Sequence, residues 1–193
     1  MNIRLALTTA LLLAAGGCGN VYLGPDGPDP ATRPLRCQQP PDEPSGMQVL
    51  LAQSVPTASA VPCLTGDVTD WLMTVFEVVN GKARIEFTHR YGRDDDTATL
   101  DFGPDCDVGA AREVSSRHDG MRRYDRPGDR TGRYTDRIYY VGPGGCTALR
   151  FNLSGAGADL RGAEITGVLG FVSRADLDRQ IRKASDGHLH LDA

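Results

Sequence analysis

The sequence predicts an α+β fold: an antiparallel sheet of about five to six strands, disulfide-bonded, with two C-terminal helices packed on one face. Three observations lead there. Apolar and polar residues alternate in several stretches between residues 71 and 153, which is the period of half-buried strands. After Gly155 the period becomes helical. Four cysteines, Cys37, Cys63, Cys106 and Cys146, are spread along the chain at spacings unlike the paired ligands of a zinc site.

In chain order, residues 19–46 hold seven of the twelve prolines and few large apolar side chains. Such a segment cannot bury enough surface to offset its ordering entropy, so it reads as a stiff tether. The single α+β domain is expected over residues 47–185. It opens with a short helix at 47–53 and an ordered loop. "WLMTVFEVV" (71–79) is β-branched and aromatic, Asn80-Gly81 marks a tight hairpin turn, and "KARIEFTHR" (82–90) puts Ala83, Ile85, Phe87 and His89 on one face. "TATLDF" (97–102) adds Ala98, Leu100 and Phe102 to that side, and "MRRYD" (121–125) suggests a shorter strand. A second hairpin pairs 133–141 with 146–153 across Gly142-Pro143-Gly144-Gly145, with Thr147, Leu149, Phe151 and Leu153 sharing a face. "ADLRGAEITGVLG" (158–170) is a helix weakened by two internal glycines. "SRADLDRQIRKAS" (173–185) is a stronger one, with Ser173 and Asp176 as a capping box. Residues 186–193 read as a polar, frayed tail.

The start of the chain locates the protein. Arg4 is the only charge before Cys18, and residues 5–15 are apolar or Thr. A positive start, a short apolar core and small residues at its end form a secretory signal over residues 1–17, too short to span a bilayer. The end, Gly16-Gly17-Cys18, resembles the lipobox of bacterial lipoproteins, with Ala15 where that family usually has Leu. The resemblance implies cleavage before Cys18, diacylglycerol on its sulfur and palmitate-type acyl chains. Two or more chains suffice for stable anchoring at the outer face of the cytoplasmic membrane. With Arg4 removed, the net charge moves from −4 to about −5.

Taking Cys18 out of the five leaves an even set in an oxidising compartment. Four cysteines allow three connectivities and sequence does not choose among them. Pairing of neighbours, Cys37–Cys63 with Cys106–Cys146, is the expectation carried forward, each bridge contributing roughly 3–4 kcal/mol. Further along, "QSVPTASAVPCL" (53–64), "CDVGA" (106–110), "RRY" (122–124), "GGC" followed by "RF" (144–151) and "LGFVSRADL" (169–177) are similar to a recurring set in exported or membrane-anchored actinobacterial proteins. That resemblance implies an envelope family without assigning any catalytic residue.

Among chemistry-bearing residues, Ser116, His118 and Asp119 are neighbours in a polar loop, where a hydrolytic triad needs convergence from separate elements. A solvated loop is the better reading. His89 reads as a core histidine at a strand end. The acidic run around Asp94, Asp95, Asp96, Asp101, Asp105 and Asp107 lacks the spacing of a calcium loop and reads as an exposed turn. No metal and no cofactor is assigned. Residues 122–137 carry Arg122, Arg123, Arg126, Arg130, Arg133 and Arg137 against three aspartates. On an exported acidic protein this suggests a contact patch for an anionic envelope component, a lipid or a protein partner, and not nucleic acid. Arg–Asp pairing across a hairpin is the plainer alternative. The expected role is a non-enzymatic envelope binding module. A small secreted hydrolase or ligand-carrying lipoprotein, with a pocket between sheet and helices near His89 or His118, is the alternative.

Overall fold

The computed structural model describes residues 35–37, 44–93, 95–129 and 132–192. Residues 1–17, Cys18, Asp94 and Arg130 lie outside the described residues, and with them the signal peptide and the lipid-attachment site.

The elements are α1 (Gly46–Ser54), β1 (Ala60–Leu64), β2 (Trp71–Val79), β3 (Lys82–His89), β4 (Thr97–Gly103), β5 (Arg112–Val114), β6 (Arg122–Arg126), β7 (Arg133–Tyr134), β8 (Arg137–Gly142), β9 (Gly145–Ser154), α2 (Ala158–Val168), β10 (Leu169–Ser173) and α3 (Arg174–Ala184). The architecture is α+β with antiparallel sheets and two disulfides. The main sheet has eight strands, and not five to six: β2-β3-β4-β9-β8-β6-β5 in order, with β7 pairing β9 off that path. A separate ribbon pairs β1 with β10. The surplus over six is β5, three exposed residues at an edge, and β7, a two-residue strand that Thr135-Asp136 separate from β8.

Both expected hairpins form. β2 and β3 meet at Asn80-Gly81, where Gly81 adopts φ 86°. A bulge between Met73 and Val75 resets the pleat of β2. Trp71 and Met73 before it, and Phe76 and Val78 after it, therefore all oppose His89, Phe87, Ile85 and Ala83 on the buried side. The alternate residues of β4 and β9 complete this inner face: Ala98, Leu100, Phe102, Thr147, Leu149, Phe151 and Leu153 are buried. β7 and β8 share one register against β9, broken only at Thr135-Asp136. At Gly144 (φ 68°), an added Cβ would lie 2.0 Å from the Thr57 carbonyl oxygen, so that turn position needs glycine.

Three helices stand among the described residues. α1 is closed by a complete capping box between Ser45 and Gln48 and packs on β1, β2 and β3. α2 packs on β9 and β7, and Trp71 reaches it by an indole N–H donated to Glu164. It ends at Val168, so the last two residues of the expected helix open β10. α3 begins at Ser173, whose hydroxyl accepts from the Asp176 N–H, and lies on β10. Gly162 is one of the two internal glycines of α2, and it permits close packing: a Cβ there would come 2.5 Å from the Tyr134 ring.

The folded unit begins before residue 47. Leu35 is in the core, the Cys37 N–H donates to the Leu64 carbonyl at 2.9 Å, and Cys37 is bonded to Cys63. Part of the proline-rich segment is thus pinned along β1. At the other end, Leu191 is buried and its N–H donates to Asp178 at 2.8 Å, so residues 186–192 fold back on α3 and are not frayed. Both disulfides pair neighbours along the chain, Cys37–Cys63 and Cys106–Cys146. The second clasps the loop after β4 onto the outer face of the sheet, because Cys146 alternates with the inward Thr147.

Candidate functional site

The arginine-rich stretch runs along β6, β7 and β8, and strand alternation divides it. Arg123 and Asp125 lie opposite Tyr140 and Ile138 on the inner face. There Arg123 donates to Asp125 at 2.7 and 2.8 Å, and its guanidinium stands 5.8 Å from the Tyr140 ring centroid. Arg122, Arg126, Arg133 and Arg137 belong to the outer face. Arg122 makes a two-pronged pair with Glu113 at 2.9 and 2.6 Å. Arg133 is held by Asp95, by Asn152 and by the buried Asp96. The exposed Arg122–Glu113 and Arg133–Asp95 pairs contribute little stability, but with the buried Asp96 they remove Arg122 and Arg133 as free cations.

Arg126 and Arg137 differ. They stand directly opposite one another on β6 and β8, and Arg150 stands opposite Arg137 on β9. Arg150 pairs with Asp101. Among the described residues, neither Arg126 nor Arg137 makes an ion pair. Between them opens a cavity of about 250 Å³ lined by Arg126, Pro127, Gly128, Asp129, Thr135 and Arg137. Its floor is internally bonded: the Gly128 N–H donates to Asp136 at 2.9 Å and the Thr135 hydroxyl to the Asp129 carbonyl at 3.2 Å. Gly128 is required there, since a Cβ would lie 2.1 Å from the Thr135 hydroxyl oxygen. Among the described arginines of the expected patch, Arg126 and Arg137 form a facing pair of cations over a small pocket.

The Ser116, His118, Asp119 group does not converge. Ser116 bonds only the main chain of His118, accepting from its N–H and donating to its carbonyl. The His118 ring is not solvated with its loop; it turns inward between Tyr140 (5.2 Å) and Phe171 (5.0 Å). Arg117 fixes the loop by donating to the carbonyls of Thr166 and Gly167 at the end of α2, a common use of a cation at a helix C-terminus. Burial, reinforced by the nearby Arg117 and Arg123, holds the His118 pKa below the ordinary value. The same burial pushes the Tyr140 phenol up. His118 Nε2, the Tyr140 hydroxyl and the Thr147 hydroxyl are buried without hydrogen-bond partners among the described residues. His89 stacks edge-on to Trp71 at 5.1 Å and accepts from the Tyr91 N–H.

Asp96 was expected in an exposed acidic turn and is instead 1 % exposed. Its carboxylate accepts from the Ser154 N–H at 2.8 Å and the Ser154 hydroxyl at 2.7 Å, with Arg133 at 3.5 Å and Arg161 at 3.6 Å. Burial opposes its ionisation, but the hydrogen bonds from Ser154, main-chain bonding at Arg93 and Ser154, and the Arg161 charge together hold its pKa below the usual value. This carboxylate ties the β3–β4 turn to the end of β9 and the start of α2. Among the described residues, no group of three or more metal-ligating side chains converges, and no helix is long and apolar enough to cross a membrane.

No known family, curated protein or solved structure matches the chain.

Proposed function

We propose that this chain is a cell-envelope lipoprotein. It is cleaved before Cys18, acylated on that thiol, and held at the outer face of the cytoplasmic membrane. Its α+β domain acts there as a binding module for an anionic envelope component or a protein partner. The observation that carries this reading is the pairing of Cys37 with Cys63 and Cys106 with Cys146. Of five cysteines, that leaves Cys18 as the one outside the two bridges. Disulfides of this kind belong to oxidising compartments, and the apolar stretch ending in Gly16-Gly17-Cys18 supplies the route there. The binding role is supported by the Arg126–Arg137 pocket. The non-catalytic reading is supported by Ser116 and His118, whose functional atoms are turned apart.

Detergent-phase partitioning of cell fractions tests the anchor. The wild-type chain is expected in the detergent phase and membrane fraction, and Cys18→Ala is expected to lose the processed, detergent-soluble form. Equal partitioning of the two would end the lipoprotein reading.

A ligand-carrying lipoprotein is the second reading, favoured by the three partnerless polar groups of His118, Tyr140 and Thr147 between the sheet and β10. A small molecule released from the native purified protein on denaturation, and reduced in Tyr140→Phe, would support it. Release of nothing in either sample would dispose of it.

A further inference from the structure

We infer that the pocket between Arg126 and Arg137 binds one phosphodiester group of a soluble envelope polymer. The inference rests on the domain being a binding module for anionic envelope material, and it names the chemistry of that material.

The first argument is electrostatic. Like charges directly opposite on neighbouring strands destabilise a sheet, yet Arg126, Arg137 and Arg150 form such a row. The outer arginines nearby are relieved by carboxylates: Arg150 by Asp101, Arg133 by Asp95 and Asp96, Arg122 by Glu113. Arg126 and Arg137 keep their mutual repulsion. An anion bound between them converts that repulsion into two charge-assisted contacts.

The second argument concerns which anion. The Gly128 N–H and Thr135 hydroxyl already donate to Asp136 and Asp129, so among the described lining residues the two guanidinium forks are the side-chain donors left for a ligand. Two forks on facing strands need acceptors on more than one side of the anion. A tetrahedral phosphate offers acceptors in several planes, whereas a carboxylate holds its acceptor sites in one plane. A cavity of about 250 Å³ exceeds a bare phosphate and accepts the flanking carbons, with Pro127 as an apolar wall.

The third argument separates a polymer from a membrane. A flat anionic bilayer needs a broad positive surface. On this face, strand register sets Glu86 in the row of Arg150, Arg137 and Arg126, and Asp101 and Glu113 in the neighbouring row, and a headgroup layer would meet these too. Two exposed cations facing each other across a small cavity suit one protruding group.

The test uses the mature chain, residues 18–193, with Cys18→Ala to keep it unacylated. It is titrated calorimetrically with glycerophosphoglycerol, with sodium acetate at matched ionic strength, and with phosphatidylglycerol vesicles. Saturable binding of the diester is expected, weakened tenfold or more in Arg126→Ser and in Arg137→Ser and unchanged in Arg90→Ser, an exposed arginine at the far end of β3. Folding of the variants is monitored by melting temperature at low salt without ligand. Arg137→Ser is expected to melt no lower than wild type, because the repulsion is gone, and to lose the rise that the diester gives wild type. Equal diester affinity in wild type and both variants, binding of acetate alone, or binding to vesicles without binding to the diester would each overturn the inference. Failure of the anchor reading shows in partitioning of the Cys18 variant and leaves this titration unchanged.

Discussion

Replacing Asp96 by Asn keeps the shape of the side chain and removes its charge. The carboxylate is 1 % exposed and receives two hydrogen bonds from Ser154, with Arg133 and Arg161 within 3.6 Å. Hydrogen bonds to a charged group contribute about 1.5–3 kcal/mol each. Removing one partner of a buried pair costs about 3–5 kcal/mol, because the remaining charge stays desolvated. Arg133 and Arg161 keep other acceptors, Asn152 and the Ser154 carbonyl among them, so the lower part of that range applies. Asp96→Asn is expected to lose about 3 kcal/mol in urea unfolding with the disulfides intact, as a lower midpoint at unchanged slope. Arg161→Met in the Asp96→Asn background should restore part of the loss, since it removes a cation that then lacks its carboxylate. The direction of titration adds a check. A carboxyl whose folded pKa is lowered contributes stability that is present above its unfolded value and is lost as the pH falls through its folded value. The Asp96 contribution therefore disappears only in acid, below about pH 4. A loss under 1 kcal/mol for Asp96→Asn would refute the view that this carboxylate holds the β3–β4 turn to β9 and α2.

His118 works in the opposite chemical sense and at a different pH. Its folded pKa is lowered by burial and by Arg117 and Arg123, so its contribution is complete above about pH 6.5 and falls as the pH drops below that value toward the folded pKa. His118→Phe, which keeps a ring between Tyr140 and Phe171, should flatten stability between pH 7 and 5 as followed by chemical denaturation. The two internal glycines of α2 should respond with opposite signs in thermal melts. Gly167→Ala meets nothing within 4 Å and gains about 0.5–1 kcal/mol of helix propensity, whereas Gly162→Ala strikes the Tyr134 ring and loses about 1–2 kcal/mol. The bridges close loops with separations of 26 and 40 residues. Loop entropy then assigns about 3.5 kcal/mol to Cys37–Cys63 and about 4 kcal/mol to Cys106–Cys146, to be compared in paired serine variants by their denaturation midpoints.

Strand pairs carrying their own alternation and turn chemistry were legible in the sequence. Asn80-Gly81 and the run of glycines around Pro143 located both hairpins, and the faces of β3, β4 and β9 followed from a period of two. β1 and β10 were not legible. Each is a short apolar run, one containing Pro62 and the other continuous with a helix, and periodicity cannot separate such runs from helical segments. The bulge at Thr74 was hidden because an extra residue leaves the composition of β2 unchanged. Burial of His118 and Asp96 was equally hidden. Both lie in polar loops, and their surroundings come from Tyr140, Phe171, Ser154 and Arg161, distant in sequence. The division of the arginine stretch did have a signal: in a strand at 122–126, alternation alone sends Arg123 to the face opposite Arg122 and Arg126. Which arginines stay unpaired depended on Glu113, Asp95 and Asp101, brought close only by the fold.

Intact mass measurement of the membrane-extracted protein under non-reducing conditions tests the central claim most directly. The account predicts a chain beginning at Cys18, heavier than its sequence by a diacylglycerol with or without a further acyl group, and lighter by four hydrogens for two disulfides. An uncleaved chain retaining residues 1–17, or a mature chain with Cys18 unmodified or joined in a disulfide, would contradict it.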